Sequence, residues 1–112
     1  MTLPARIKKP RKKDDRKWPA HLRFVRTRHC IVPGCKETPV QACHVRIGTD
    51  GSLSRKPHDG FTVSMCETHH EEQHHGERSF AERYGLDMYD LALEFARKSP
   101  VPEVRKWVTG AF

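Results

Sequence analysis

Long apolar runs are missing from this 112-residue chain. Nothing in it approaches the roughly 20 apolar residues of a membrane-spanning helix, so no membrane span and no membrane partner are expected. The N-terminus is basic and polar and lacks the apolar core of a signal peptide. Nothing there marks the chain for secretion, and a reducing cytoplasm is the expected compartment. Hydrophobic residues make up 36% of the chain and aromatics 8%. A single domain of this size and composition buries little surface on folding. There are no internal repeats to enlarge the core, so a metal staple is expected on energetic grounds. Cysteine is also scarce, at four residues. Two disulfides would use all four, but in a reducing compartment cysteines are more often ligands than bridges.

Acidic residues are nearly absent from the first quarter of the chain. Residues 1–28 hold 11 of the 21 Lys/Arg and only Asp14 and Asp15 against them, while residues 29–112 hold 10 basic and 12 acidic residues. The net charge of +7 therefore comes entirely from the start of the chain. That is the electrostatic footprint of a nucleic-acid-binding arm on a nearly neutral domain. The plainer alternative is a solvated tail that aids solubility. Beyond Ala5, the segment 5–17 has one apolar residue, Ile7, and carries Pro10 at its middle, so it reads as disordered when free. We assign residues 1–20 to the arm and 21–112 to the folded domain. The DNA-contacting candidates are Arg6, Lys8, Lys9, Arg11, Lys12, Lys13, Arg16 and Lys17.

Past the arm, turn chemistry at Pro33-Gly34 brings Cys30 and Cys35 together as a knuckle. Residues 40–47 are rich in β-branched side chains and read as a strand. A loop follows over 49–60, with Asp50-Gly51, Ser52, Ser54, Pro57 and Asp59-Gly60. Phe61, Val63 and Met65 alternate with Thr62 and Ser64, the pattern of a half-buried strand. Cys66 opens a helix that Gly76 ends. Ser79-Phe80-Ala81-Glu82 fits a capping box for the next helix, with Phe80 and Tyr84 paired at i, i+4 before Gly85. A last helix starts near Asp87, with Met88, Leu91, Ala92 and Phe95 on one face, and Pro100 stops it. The fold class is α+β.

Metal-ligating residues concentrate on one short stretch, Cys66-Glu67-Thr68-His69-His70-Glu71-Glu72-Gln73-His74. On a helix Cys66 and His69 share one face, and His70 and His74 share another about 100° round. Zinc takes four N/S ligands, delivered as two close pairs from separate elements. Cys30, Cys35, Cys66 and His69 meet that requirement as a structural site. A Cys2His2 finger would instead pair Cys30 and Cys35 with His70 and His74. That choice leaves 34 residues between the pairs, where fingers have ~12, and it strands Cys66. His29 is a weaker substitute ligand, while His21 and His75 acquire no role. Arg46 is placed to reach a phosphate or to sit exposed on its strand. Trp18 and Trp107 read as core or cap residues rather than as base-stacking platforms.

A second constellation comprises Cys43-His44, Lys56-Pro57-His58-Asp59, His70 and His74. Here residues 21–84 resemble the HNH, or ββα-metal, nucleases, above all small phage and prophage proteins of the recombination-enhancement type. The resemblance implies a zinc-stapled ββα-metal module over about 28–84, followed by a helical extension over about 85–112. It implies that His44 is the general base, and that His58 or Asp59 orients it. His70, His74 and Cys43 would bind a catalytic divalent metal (Zn, Mg, Mn or Ni). Cys43 is a soft ligand and favours zinc or another transition metal over magnesium. The implied activity is hydrolysis of DNA phosphodiester bonds, with DNA and a recombination protein as partners. The rivals are a non-catalytic zinc-binding DNA module and a recombination accessory factor that cuts only with a partner.

The arm carries a test of its own. Each phosphate contact on duplex DNA adds ~0.9 to the slope of log affinity against log salt. If about half of the arm's cations engage, deleting residues 2–17 flattens that slope by several units. Binding should weaken alike on random and chosen sequences, because phosphate contacts carry no base information. An unchanged slope in a salt titration would make the arm a solubility tail.

Overall fold

Strand pairing between the two β-branched stretches is the scaffold on which the helices are hung. The computed structural model describes residues 17–49 and 57–111. The arm residues Arg6, Lys8, Lys9, Arg11, Lys12, Lys13 and Arg16 lie outside the described residues, as do Asp50 to Lys56. Among the described residues the element order is α1 (Pro19–Arg26), β1 (Val40–His44), β2 (Thr62–Cys66), α2 (Glu67–His74), α3 (Glu77–Tyr84), α4 (Met88–Arg97) and α5 (Pro102–Ala111). The class is α+β, as expected. β1 and β2 pair antiparallel, with Val40 opposite Cys66 and His44 opposite Thr62.

Both strands differ from the sequence reading in ways that have physical causes. β1 stops at His44, short of Ile47. The Arg46 and Ile47 N–H groups leave the ladder and donate to the Glu77 carboxylate, Ile47 at 2.7 Å. β2 is buried along its whole length rather than on alternate residues. Helices α1, α2 and α4 all pack against it and leave no solvated face. Its polar side chains find partners inside. Thr62 donates to the Asp59 carbonyl at 3.0 Å, and Ser64 donates to the His29 carbonyl.

The helices follow their punctuation in part. α2 ends at His75-Gly76, as Gly76 suggested. α3 begins at Glu77 with Gly76 as its N-cap, so Ser79 lies inside the helix and the expected capping box is not used. Glu77 is committed instead to the Arg46 and Ile47 N–H groups. Gly85 ends α3 in the left-handed region at φ 65°, where the absence of a Cβ removes the steric penalty. Asp87 caps α4 by accepting the Asp90 N–H at 3.0 Å. One helix was not foreseen. α1 starts at Pro19, so the arm–domain boundary drawn at residue 20 falls inside it. α5 starts at Pro102, where proline suits the first helical position, and lies within the helical extension expected over about 85–112.

Two apolar clusters result. Cys43, Val45, Val63, Met65, Phe80 and Met88 fill the space under the sheet, and Phe61, Leu93, Ala96, Val104 and Val108 join α4 to α5. No helix among the described residues is long and apolar enough to cross a membrane.

His21 is a costly component of this interior. It is fully buried; Nδ1 pairs with Ser99 Oγ at 3.0 Å, and Nε2 has no hydrogen-bond partner among the described residues. Burial lowers its pKa to about 4, the Asp59 charge opposing and His58 assisting. Between pH 6.5 and 4 the unfolded chain therefore binds a proton that the folded chain does not. Stability is complete above pH 6.5 and falls as pH drops through that window, by roughly 3 kcal/mol from this group. Denaturant titrations across the window should show the loss, and His21→Leu should flatten it. An identical pH slope in the variant would clear His21 of the effect.

Candidate metal centre and histidine pocket

Helix α2 has no apolar residue in its sequence ETHHEEQH. An eight-residue helix without an apolar stripe does not hold together in water by propensity. What docks it is a set of polar and ligand contacts on its two sides.

On one side stand Cys30 and Cys35 from the knuckle, Cys66 from the end of β2 and His69 from α2. Their ligand atoms all lie within 4.8 Å of one another. His69 Nδ1 is 3.4 Å from Cys30 Sγ and 3.2 Å from Cys66 Sγ, and the Cys35 and Cys66 sulfurs are 3.9 Å apart. Burial pushes the Cys30 thiol up to about 11, backbone N–H groups of the site partly opposing and the other thiols assisting. A divalent cation reverses this balance, because thiolates are stable only where their charge is met. Three sulfurs and one imidazole nitrogen at this spacing are the donor set of a structural zinc site. The group expected from the spacing of the four residues is brought together.

On the other side, His44 at the end of β1 lines one pocket with His70 and His74 from α2; Leu22, Arg26, Ala42 and Arg46 complete its wall. The His70 and His74 Nε2 atoms are 2.9 Å apart. His70 Nδ1 meets Gln41 Oε1 at 2.5 Å, so Nδ1 carries the proton and Nε2 keeps its lone pair. Burial lowers the pKa of His70, and the neighbouring His74 and His44 lower it further, which keeps the ring in the neutral form that binds metals. His44 Nε2 is 2.8 Å from Asp59 Oδ1, and the other carboxylate oxygen accepts the Trp18 N–H at 2.7 Å. Burial works against ionisation of Asp59. The hydrogen bonds from His44 and Trp18 and the nearby His58 outweigh it and hold the carboxyl below its usual range.

Two expected site residues lie elsewhere. Cys43 was to be a ligand beside His70 and His74. Adjacent strand residues point to opposite faces, and with His44 in the pocket, Cys43 enters the core. It is fully buried there, with Sγ 3.5 Å from the Gln41 carbonyl. Burial pushes its thiol up to about 12, and it is not among the residues that line the pocket of His44, His70 and His74. Of the two candidates for orienting His44, Asp59 makes the contact. The His58 ring stacks on Trp107 at 4.9 Å, and its Nδ1 accepts the Gly60 N–H at 2.9 Å.

Residues 4–99 match the family described as "Protein of unknown function (DUF968)". The chain belongs to this family. No curated protein and no solved structure matches it. The family match covers both constellations and ends before α5.

Several residues around the pocket carried no sequence signal. Gln73 is buried and donates through Nε2 to the His44 carbonyl at 3.0 Å and to Glu77 Oε1 at 2.6 Å. Gln41 fixes His70, and Trp18 fixes Asp59. A glutamine has no distinctive spacing, and a backbone N–H has none at all, so pattern reading passes over them.

The Cys3His group makes metal content decisive. Structural zinc contributes on the order of 10 kcal/mol to folding in small domains. Purified protein should hold one tightly bound zinc, and chelation or Cys35→Ala should unfold α2 and the knuckle. A zinc-free protein that folds normally by circular dichroism would end the staple hypothesis.

Proposed function

We propose that this chain is a divalent-metal-dependent endonuclease of the HNH, ββα-metal type that hydrolyses phosphodiester bonds in DNA. One observation carries the reading. The carboxylate-tied His44 and the paired His70 and His74 share a single pocket, on a β1–β2–α2 unit anchored from behind by the Cys3His group. A neutral imidazole whose Nε2–H is given to Asp59 keeps a lone pair on Nδ1. It can take the proton of a water near pH 7 as that water attacks phosphorus. Asp59 fixes the ring and stabilises the imidazolium that results. His70 and His74 would hold the divalent cation, since two nitrogens on one metal ion at about 2.0–2.1 Å lie about 3 Å apart. A cation there supplies charge neutralisation for the phosphate and the leaving 3′ oxygen. Arg26 and Arg46, on the pocket wall, give cationic contacts for the flanking backbone. The basic arm supplies affinity without sequence preference. The resemblance to phage and prophage nucleases suggests that the work is DNA processing linked to recombination.

A second reading, a non-catalytic zinc-binding DNA module or recombination accessory factor, has one observation in its favour. With Cys43 in the core and His44 committed to Asp59, two imidazoles among the described residues are left for the second metal, one fewer than the three protein ligands of catalytic zinc sites. Plasmid nicking with Mg, Mn, Ni or Zn separates the readings. His44→Ala should lower the rate by ~10²–10⁴-fold with fold and DNA affinity retained. His70→Ala and His74→Ala should lose activity through metal occupancy and recover partly in excess metal. Full activity in the His44 variant would move the base elsewhere, and no cleavage under any metal would favour the second reading.

A further inference from the structure

The residue that joins the arm to α1 also touches the carboxylate behind the candidate base. Asp59 divides its oxygens between two donors, the His44 ring at 2.8 Å and the Trp18 backbone N–H at 2.7 Å. The N–H of a helix N-cap is one of the donors that the helix leaves unsatisfied, and here Asp59 uses it. The Trp18 side chain makes no cap bond. Its indole lies 4.3 Å from the His58 ring at 70° and 5.5 Å from Trp107 at 77°. His58 in turn stacks on Trp107, with the planes 7° apart. Gly60 permits this packing, because a Cβ there would come within 2.4 Å of the Trp107 ring. The turn over 58–60 is therefore gripped by two indoles, and the carboxylate at its centre is aimed by that grip.

We propose that Trp18 is a positioning residue for the His44–Asp59 pair. Its indole anchors the backbone N–H that sets the Asp59 carboxylate, and through it the imidazole. Charge-assisted bonds of this kind are the strong ones, and a residue at the edge of a domain frays unless its side chain is tied down. Without the indole, the N–H leaves Oδ2, the carboxylate turns, and the base loses its aim. Eight Lys/Arg precede Trp18 directly. The junction thus separates two functions: the arm's cations act on affinity and Trp18 acts on turnover. The inference rests on the nuclease reading.

The test uses the zinc-loaded full-length chain. Trp18→Ala should lower kcat about 10- to 100-fold with KM nearly unchanged, and Trp18→Phe should restore most of the loss. Deleting residues 2–17, which keeps Trp18, should do the reverse, raising KM and sparing kcat. If Trp18 acts through the carboxylate, Trp18→Ala placed on Asp59→Asn should slow the reaction no further. Equal zinc content and thermal unfolding of the variants exclude a folding defect, and Trp18→Leu takes the place of Trp18→Ala should the latter fail to hold zinc. The His44 Nε2–H resonance in NMR decides the matter even if the wild type cuts nothing. It should be protected in the wild type and Trp18→Phe and lost in Trp18→Ala. A persistent resonance, an effect on KM alone, or additive losses in the double variant would overturn the proposal.

Discussion

The interaction on which the rest depends is the convergence of Cys30, Cys35, Cys66 and His69 behind α2. That helix offers no hydrophobic face, so burial cannot fix where it lies. Ligand atoms within 4.8 Å of one another, drawn from the knuckle, the end of β2 and the helix itself, can. Once Cys66 and His69 are set, helical geometry carries His70 and His74 to the other side. The second pocket is thereby a consequence of the first site.

A polar buckle completes what the ligands begin. Gln73 donates to the His44 carbonyl and to Glu77, and Glu77 accepts the two N–H groups that β1 releases when it ends. Tyr84 of α3 reaches back to Glu72 of α2 at 2.7 Å. These contacts are directional, whereas apolar burial is not. They hold His44 in register with α2 in a domain whose apolar content is low. The same economy explains the aromatic cluster of Trp18, His58, Phe61 and Trp107, which packs the turn carrying Asp59 with few side chains of large area.

The placement of Cys43 shows how a strand constrains the histidine pocket. A ligand-plus-base pair at consecutive positions needs both side chains on one side, and a regular strand sends them apart. Here His44 is the last residue of β1 and takes the pocket. Cys43 takes the core, where a small, weakly polar side chain fits well.

The sequence by itself determined the Cys3His group, the strand–loop–strand–helix order and the facing of His44, His70 and His74. Pair spacing on turns and the 3.6-residue helical period carry the first site and the shared face of His70 and His74, while His44 beside them is what the family resemblance implied. It also carried the charge asymmetry of the arm, which is a matter of counting. Tertiary structure alone decided between His58 and Asp59, because neighbouring residues on one turn differ only in what packs against them. Trp107 takes the ring of His58, and Trp18 and His44 take the carboxylate of Asp59. Helix α1 was illegible for a similar reason. It opens on Trp18-Pro19 directly after the basic segment, and it is held by contacts with residues distant in sequence, such as His21 with Ser99 and Trp18 with Trp107. Local periodicity records what a segment prefers alone, whereas the boundary between arm and α1 is set by where the helix docks.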